Sequence, residues 1–191
     1  MSNNKKILIT IVIPTYNNDL LLKKSINSVV NQTFDNFELL IIDNYSTDKT
    51  SQIISEFKDS RISHIKIKNN GIIAKSRNLG IKLAKGEWVA FLDSDDCWYP
   101  KRLAKISKFL TNHYHFDVIT TNEYKVFDKS LKRQKLFYGL QGTNKYRSLL
   151  LFGNRLSPSA TVVRKKFLEK HSIYFKENKG FITVEDYDFW L

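Results

Sequence analysis

Between Ile7 and Leu92 short apolar runs alternate with amphipathic segments, and that rhythm most narrows what the chain can fold into. ILITIVI at Ile7–Ile13, FELLIID at Phe37–Asp43, ISHIKI at Ile62–Ile67 and the stretch Glu87–Leu92 have the length and composition of strands. Between them, Leu20–Val30 carries Leu21, Leu22, Ile26, Val29 and Val30 at helical spacing, and Ser46–Phe57 and Ile73–Lys85 read as two further helices. Strand, helix, strand, helix in these lengths predicts a parallel α/β sheet. The first apolar run is far shorter than the roughly 20 residues that span a bilayer. Pro14 and polar residues follow it rather than a small-residue cleavage site, so it reads as a buried strand.

Beyond Pro100 the pattern loosens. Lys101–Asn112 is helical, with Pro100 suited to a first helical position. Phe116–Phe127 alternates like one strand, Thr143–Phe152 reads as a short helix, Ser159–Arg164 as a strand, and EDYDFWL, ending at Leu191, as the opening of another helix. The 191 residues, 42% of them hydrophobic, suit one domain, with residues 1–98 and 99–191 as its two halves. Cys97 is the only cysteine, which leaves no internal disulfide or thiolate zinc site and favours a reducing compartment.

Polar chemistry gathers where the expected strands end. The first runs into Pro14-Thr15-Tyr16-Asn17-Asn18, the second into Asp43-Asn44-Tyr45-Ser46 and the fourth into Asp93-Ser94-Asp95-Asp96; the third helix adds Arg77-Asn78. Ligands of open α/β sheets bind outside the carboxyl ends of the strands. An aromatic ring, hydrogen-bonding groups, a cation and carboxylates on one edge suit a nucleoside diphosphate and its metal. Three carboxylates within four residues repel one another unless something positive sits among them. Mg²⁺ or Mn²⁺, shared between Asp93, Asp95 and the phosphates of a substrate, would supply that charge. Capping of the helix near Pro100 needs only one of these acids and explains the cluster poorly.

The basic charge is uneven. Residues 1–100 hold 13 Lys+Arg against 11 Asp+Glu, and residues 101–191 hold 18 against 8, within a net charge of +12. Lys125, Lys129, Lys132, Arg133, Lys135, Lys145, Arg147 and Arg164–Lys166 carry much of the excess. Such a field favours an anionic membrane surface, an acidic acceptor or nucleic acid; a solvated surface tuned for solubility is the plainer account.

The stretches ITIVIPTYNN, SVVNQTFDNFELLIIDNYSTDKT, AKSRNLGIKLAKGEWVAFLDSDDCWYPKRL and VEDYDFWL resemble, in order and spacing, the successive motifs of family 2 glycosyltransferases, which have the GT-A fold. The resemblance implies a Rossmann-like nucleotide-binding half, a mixed, mostly parallel central sheet and a smaller acceptor-side half. It implies a hexosyltransferase-type enzyme that moves a sugar from a nucleotide-sugar donor, most often UDP-linked, to a glycan or lipid-linked acceptor hydroxyl, inverting the anomeric carbon in one displacement. By position in the motifs, Thr15 and Tyr16 hold the nucleoside, Asp43 and Asn44 contact base and ribose, and Arg77 is the basic residue of the donor-binding helix. Asp93, Ser94 and Asp95 form the Asp-x-Asp motif, with Asp93 and Asp95 on the divalent metal. Asp186 is the catalytic base, with Glu185 beside it. Family members often have two acids and then Gly where this chain has Asp43-Asn44-Tyr45, which leaves the nucleobase open, and they usually continue past the EDYDFWL helix. In GNRLSPSATVVR, Asn154 and Ser157–Ser159 are candidates for the acceptor cleft, although turn formation accounts for them equally well.

Two other functions fit parts of the sequence. A nucleotidyltransferase would carry a Gly-rich loop after the first strand, where PTYNN has no glycine. A non-catalytic nucleic-acid-binding domain would interleave basic and aromatic residues on one face, and only KSLKRQKLFYG hints at that. Nucleic acid is therefore the least favoured partner. The expected setting is cytoplasmic, with peripheral contact at the inner face of a membrane, and the basic second half is expected to draw an anionic lipid or acidic saccharide.

Overall fold

The structure, a computed structural model, describes residues 9–127, 132–137 and 145–191. Four expectations reach past these bounds: Ile7 and Leu8 of the first strand, Thr143 and Asn144 of the helix before Phe152, Lys129 of the basic set, and Lys129–Leu131, Tyr138 and Gly139 of KSLKRQKLFYG all lie outside the described residues.

Strand β1, Ile9–Thr15, is buried along its whole length. It is flanked on both sides, by β2 (Phe37–Asp43) and by β4 (Trp88–Phe91), both parallel to it. A strand enclosed in this way must be apolar on both faces, which is why ITIVIPT and FELLIID read as near-continuous hydrophobic runs. β3, Ile62–Lys66, closes one edge and shows the partial burial expected there. The order β3-β2-β1-β4 reverses direction beside β1, so a crevice opens between the carboxyl ends of β1 and β4. On the far side β8 (Thr161–Arg164) and then β5 (Val118–Thr120) complete a six-stranded mixed sheet through antiparallel pairings.

Alternation along the strands divides the core into two layers. Ile9, Ile11 and Ile13 face helix α1 (Asp19–Val30), α2 (Thr50–Glu56) and α4 (Arg102–Asn112), meeting Leu22, Ile26, Ile54 and Leu103. Val12, Leu40 and Phe91 face the other way, toward α3 (Ile73–Leu83), α6 (Lys165–His171) and α7 (Glu185–Trp190), meeting Ile81, Leu168 and Phe189. A further helix, α5 (Lys145–Phe152), leaves Leu150, Leu151 and Phe152 exposed.

The stretch Phe116–Phe127, expected as one strand, is two. β5 stops at Thr120 because its partner β8 begins at Thr161, just after a 3₁₀ turn at Pro158–Ala160, and no ladder continues beyond that pair. The chain then enters a separate hairpin of β6 (Glu123–Phe127) and β7 (Lys132–Leu136), the latter not anticipated from sequence. Helix α6 was likewise unanticipated. α2 starts four residues later than expected, because Asp48 Oδ1 accepts the Thr50 N–H and holds residues 44–49 as a loop. Pro100 precedes α4 rather than opening it; the α4 N–H of Leu103 is satisfied from outside, by the side-chain oxygen of Gln32 at 2.9 Å.

One close approach fixes how β4 enters the sheet. The Gly86 N–H donates to Thr10 Oγ1, which in turn donates to the buried Glu38 carboxylate. A Cβ on Gly86 would lie 2.6 Å from the Thr10 main-chain nitrogen. Because backbone cannot swing aside as a side-chain tip does, Gly86→Ala should cost about 1–3 kcal/mol or more. Gly180→Ala, whose Cβ would meet nothing nearer than Asn178 at 3.8 Å, should stay within about 0.5 kcal/mol. Urea unfolding midpoints of the two variants test the difference.

Candidate active site

The loops leaving β1, β2 and β4 are bound to one another at the carboxyl edge of the sheet. The Asn44 N–H donates to the Thr15 carbonyl at 3.0 Å, continuing the β1–β2 ladder into the loops. Asn17 receives the Thr47 N–H on Oδ1 at 2.7 Å, while its own N–H donates to Ser46 Oγ at 2.9 Å. From the β4 side, Ser94 Oγ accepts a hydrogen bond from Asn18 Nδ2 at 2.9 Å. Asn17 and Tyr45 both adopt left-handed backbone, with φ of 45° and 51°. For Asn that is tolerated in tight turns; for Tyr it is uncommon and marks a loop held by its surroundings.

These loops set the first group of expected residues in distinct environments. Thr15 is buried, and its Oγ1 is a buried atom without a hydrogen-bond partner. Tyr16 and Tyr45 stand out from adjacent loops, each 58% exposed, as two aromatic faces on the same edge. Asp43 is fully buried; one carboxylate oxygen accepts the Ser46 N–H at 2.8 Å and the other lies 3.1 Å from His64 Nε2. Asn44 Oδ1 accepts the Asn69 N–H at 2.9 Å, tying the β2 loop to the turn before α3. His64 went unnoticed in the sequence. Its signal is only the alternation of ISHIKI, which becomes informative once β3 is known to lie beside β2 with His64 across from Ile41.

The second group is organised by Arg77. Its position in the middle of α3 turns the side chain inward, and the residue is only 3% exposed. Nη1 donates to Glu185 Oε1 at 2.7 Å and Nη2 to Asp93 Oδ1 at 2.8 Å. Burial pulls this guanidinium down, but the charges and hydrogen bonds of the two carboxylates outweigh that and hold it above its ordinary value. Arg77 is therefore not an exposed helix cation: it joins the turn after β4 to the first residue of α7. Asp186 follows, half-buried, with Oδ2 accepting from Asn154 Nδ2 at 2.8 Å and Oδ1 accepting its neighbour Tyr187 N–H. Desolvation pushes the Asp186 carboxyl above its ordinary value, the Glu185 charge adds to this, and the bonds from Tyr187 and Asn154 and the charge of Arg77 oppose it. Neither Glu185 nor Asp186 caps α7, whose N-cap is Val184 with no side-chain cap bond. α4 likewise has no side-chain cap from its own N-cap, Lys101, so the capping account of the acidic turn finds no bond to rest on.

In the acidic turn, Asp93 gives one oxygen to Arg77 and its N–H to Ser159 Oγ at 3.0 Å, while Asp95 is exposed. Desolvation raises Asp96; Ser159 opposes this, and repulsion from Asp93 and Asp95 adds to it. Among the described residues no three His, Cys, Asp or Glu side chains converge on a point. Asp93 and Asp95 still offer hard oxygen donors to a divalent ion that takes its remaining ligands from a bound phosphate, the usual arrangement for Mg²⁺. Asn154 bonds to Asp186 and Ser159 to Asp93 rather than to each other, and Ser157 Oγ donates instead to Glu123 at 3.0 Å.

A three-layer α/β unit whose strand order reverses at β1, with an acidic turn after β4 and an antiparallel β8 beyond it, has the GT-A fold. It superimposes on S. aureus TarS, residues 1–349, with a TM-score of 0.79 at 29% identity, covering 95% of this chain and 53% of that one. The TarS complex with UDP-GlcNAc gives a TM-score of 0.76 at 30% identity over 95% of this chain and 52% of that one. Residues 10–172 match Glycosyl transferase family 2, and the chain belongs to that family. The Escherichia coli UDP-Glc:alpha-D-GlcNAc-diphosphoundecaprenol beta-1,3-glucosyltransferase WfgD is 34% identical over 96% of this chain and 68% of its own. A Methanocaldococcus jannaschii glycosyltransferase is 34% identical over 97% of this chain. The chain spans 64% of the length of that archaeal relative and about half of the TarS chain.

Two predictions follow the geometry. Arg77→Met leaves Asp93 and the buried Glu185 without their shared cation and should cost about 3–5 kcal/mol in urea unfolding. The double variant Arg77→Met with Glu185→Leu, which removes the deepest of the stranded charges, should recover part of it. Asp186 has a folded-state pKa above the ordinary 3.8, so its contribution to stability is fully present below that value and is lost as pH rises through the raised one. Asp186→Asn should therefore gain melting temperature relative to the native chain as pH rises above 3.8 and be at least as stable as it at pH 7.

Proposed function

We propose that the chain transfers a hexosyl unit from a nucleotide sugar, with UDP as the preferred nucleotide, to a hydroxyl of a glycan or lipid-linked acceptor. The observation that carries this is the pair of hydrogen bonds from Arg77 to Glu185 and Asp93, which brings the segment bearing Asp186 beside the acidic turn after β4. The two roles a single displacement requires, accepting a proton and holding a leaving diphosphate, then fall to adjacent elements.

Asp186 accepts the proton of the acceptor hydroxyl as its oxygen attacks the anomeric carbon. The bond from that carbon to the diphosphate breaks on the opposite face, so the configuration inverts. A carboxyl raised by desolvation is the stronger base for that task, and Asn154 acts as a positioning residue by holding one of its oxygens. Mn²⁺ or Mg²⁺ held by Asp93 and Asp95 would supply charge neutralisation to the departing nucleotide diphosphate. Tyr16 and Tyr45 offer exposed rings for the base; Thr15, Asp43 and Asn44 lie at the adjoining strand ends, and Ser94 holds the Asp-x-Asp turn against Asn18. The UDP and UDP-GlcNAc complexes of TarS, and the UDP-Glc donor and diphosphoundecaprenol-linked acceptor in the name of WfgD, support this choice of donor and acceptor.

No helix among the described residues is long and apolar enough to cross a membrane. We place the enzyme at the cytoplasmic face with peripheral contact to anionic lipid, which the exposed Leu150, Leu151 and Phe152 beside Asn154 and the basic β7 strand both favour.

The test is thermal unfolding with UDP, GDP and ADP, each with and without Mn²⁺. UDP with Mn²⁺ at about 100 times its Kd should raise Tm by about 5–10 °C. Asp95→Ala should abolish the metal-dependent part. Asp186→Asn should keep the shift but lower transfer to acceptor by about 10²–10⁴-fold. An absence of stabilisation by every nucleotide, or full transfer by Asp186→Asn, would overturn the assignment.

A further inference from the structure

A cavity of about 790 Å³ opens beside the acidic turn, whose Asp96 lines it, between α4, β5 and the β6–β7 hairpin. That volume is typical of sites for small molecules or parts of larger ligands. Much of its wall is apolar, with Ile106 and Phe109 from α4, Ile119 from β5, and Tyr124, Val126 and Leu136 from the hairpin. Five cations also line it, Lys101, Arg102, Lys105, Lys125 and Arg133, against two acids, Asp96 and Glu123.

Arg102 is the unusual member. Both terminal nitrogens of its guanidinium are shut off from solvent, and neither has a hydrogen-bond partner. The group stacks on Trp98 at 4.1 Å to the ring centroid. Burial pulls it down to about 10, with the charge of Glu123 offsetting only part of the effect, so it remains a cation at neutral pH. A buried cation that bonds to nothing is costly, and a guanidinium has the planar fork that matches two oxygens of a phosphate. The combination of that fork with an aliphatic and aromatic wall suits an anion that carries an apolar body. A nucleic-acid site would need its aromatics and cations on an exposed face, whereas both terminal nitrogens of Arg102 are closed off from solvent.

Ser159 joins this cavity to the chemistry. It lines the wall, its hydroxyl accepts the Asp93 N–H, and its carbonyl accepts the Trp98 indole N–H at 2.9 Å. We propose that the cavity receives the phosphate-bearing, apolar arm of a lipid-linked acceptor, with the Arg102 guanidinium turning from the Trp98 ring onto the phosphate oxygens and Arg133 of the hairpin assisting. This rests on the acceptor class proposed above and names where that acceptor is held.

Titration calorimetry of the full chain with farnesyl diphosphate, farnesol and inorganic diphosphate, in buffer saturated with UDP and Mn²⁺, separates the possibilities. Farnesyl diphosphate should bind with UDP already in place, and both farnesol and inorganic diphosphate should bind at least about tenfold more weakly. Arg102→Met should weaken farnesyl diphosphate by about tenfold or more, with Arg102→Lys intermediate, while UDP affinity is unchanged in both. Arg102→Met should also unfold at a urea concentration no lower than the native chain, because it removes an unpartnered buried charge. Arg133→Glu, on the exposed hairpin, provides a second variant that leaves the core untouched and should also weaken binding. Equal affinity in Arg102→Met and native protein, displacement of farnesyl diphosphate by UDP, or binding of inorganic diphosphate as tight as that of its farnesyl ester would each overturn the proposal. Farnesyl diphosphate that fails to bind while UDP still binds overturns this proposal alone; failure of UDP itself removes the donor assignment instead.

Discussion

The guanidinium of Arg77, shared between Asp93 and Glu185, is the interaction on which the arrangement of this site depends. All three groups belong to different elements, α3, the turn after β4 and the start of α7, and Glu185 lies 108 positions from Arg77. Taking one cation and two carboxylates out of water is unfavourable unless each finds partners. Once α3 has packed its apolar face on β1 and β2, the Arg77 side chain has nowhere to go but inward. The two carboxylates must then come to it, and so the late helix α7 is brought to the edge where the acidic turn lies. Packing of Phe189 against Phe91 and Phe175 secures the same helix from the apolar side.

Around that centre the edge is built from loops that hold one another rather than from one rigid element. Asn17 and Asn18 reach to the β2 and β4 loops, and Asn44 reaches to the turn before α3. Each bond satisfies a backbone or side-chain group that a strand end leaves unpaired. The outcome is one edge carrying two exposed tyrosines, a buried Asp43 paired with the half-buried His64, an acidic turn and a half-buried Asp186. The cavity that Arg102 lines adjoins the acidic turn through Asp96 and shares Ser159 with it.

Much of the first half of the chain was legible in the sequence, because burial on both faces imposes apolar runs on central strands and helical spacing on the helices that cover them. FELLIID appears in the structure with the bounds expected of it, and Ile73–Leu83 differs from the expected helix only at its last turn. The second half was less legible. Phe116–Phe127 alternates throughout, yet it divides where β8 ceases to offer hydrogen-bond partners, and alternation carries no record of where a partner ends. Arg77 was picked out by its place in a motif, but a lone cation in a helix does not reveal that it is enclosed by Glu185, 108 positions away. Arg102 gave no signal at all, since its burial comes from elements before and after it.

By itself, the sequence determined the alternation of strands and helices, the polar turns at three strand ends, the single cysteine and the basic second half, and from its motifs the family. These follow from local properties: side-chain period, turn chemistry and charge, each set within a few residues. Only the tertiary structure decided that Arg77 serves as a bridge rather than a surface cation, that His64 meets Asp43, that Asn154 holds Asp186, and that Arg102 is left unpartnered in a cavity. The physical reason is desolvation. Whether a charged group is costly, paired or available depends on which distant segments exclude water from it, and that is settled when the layers pack.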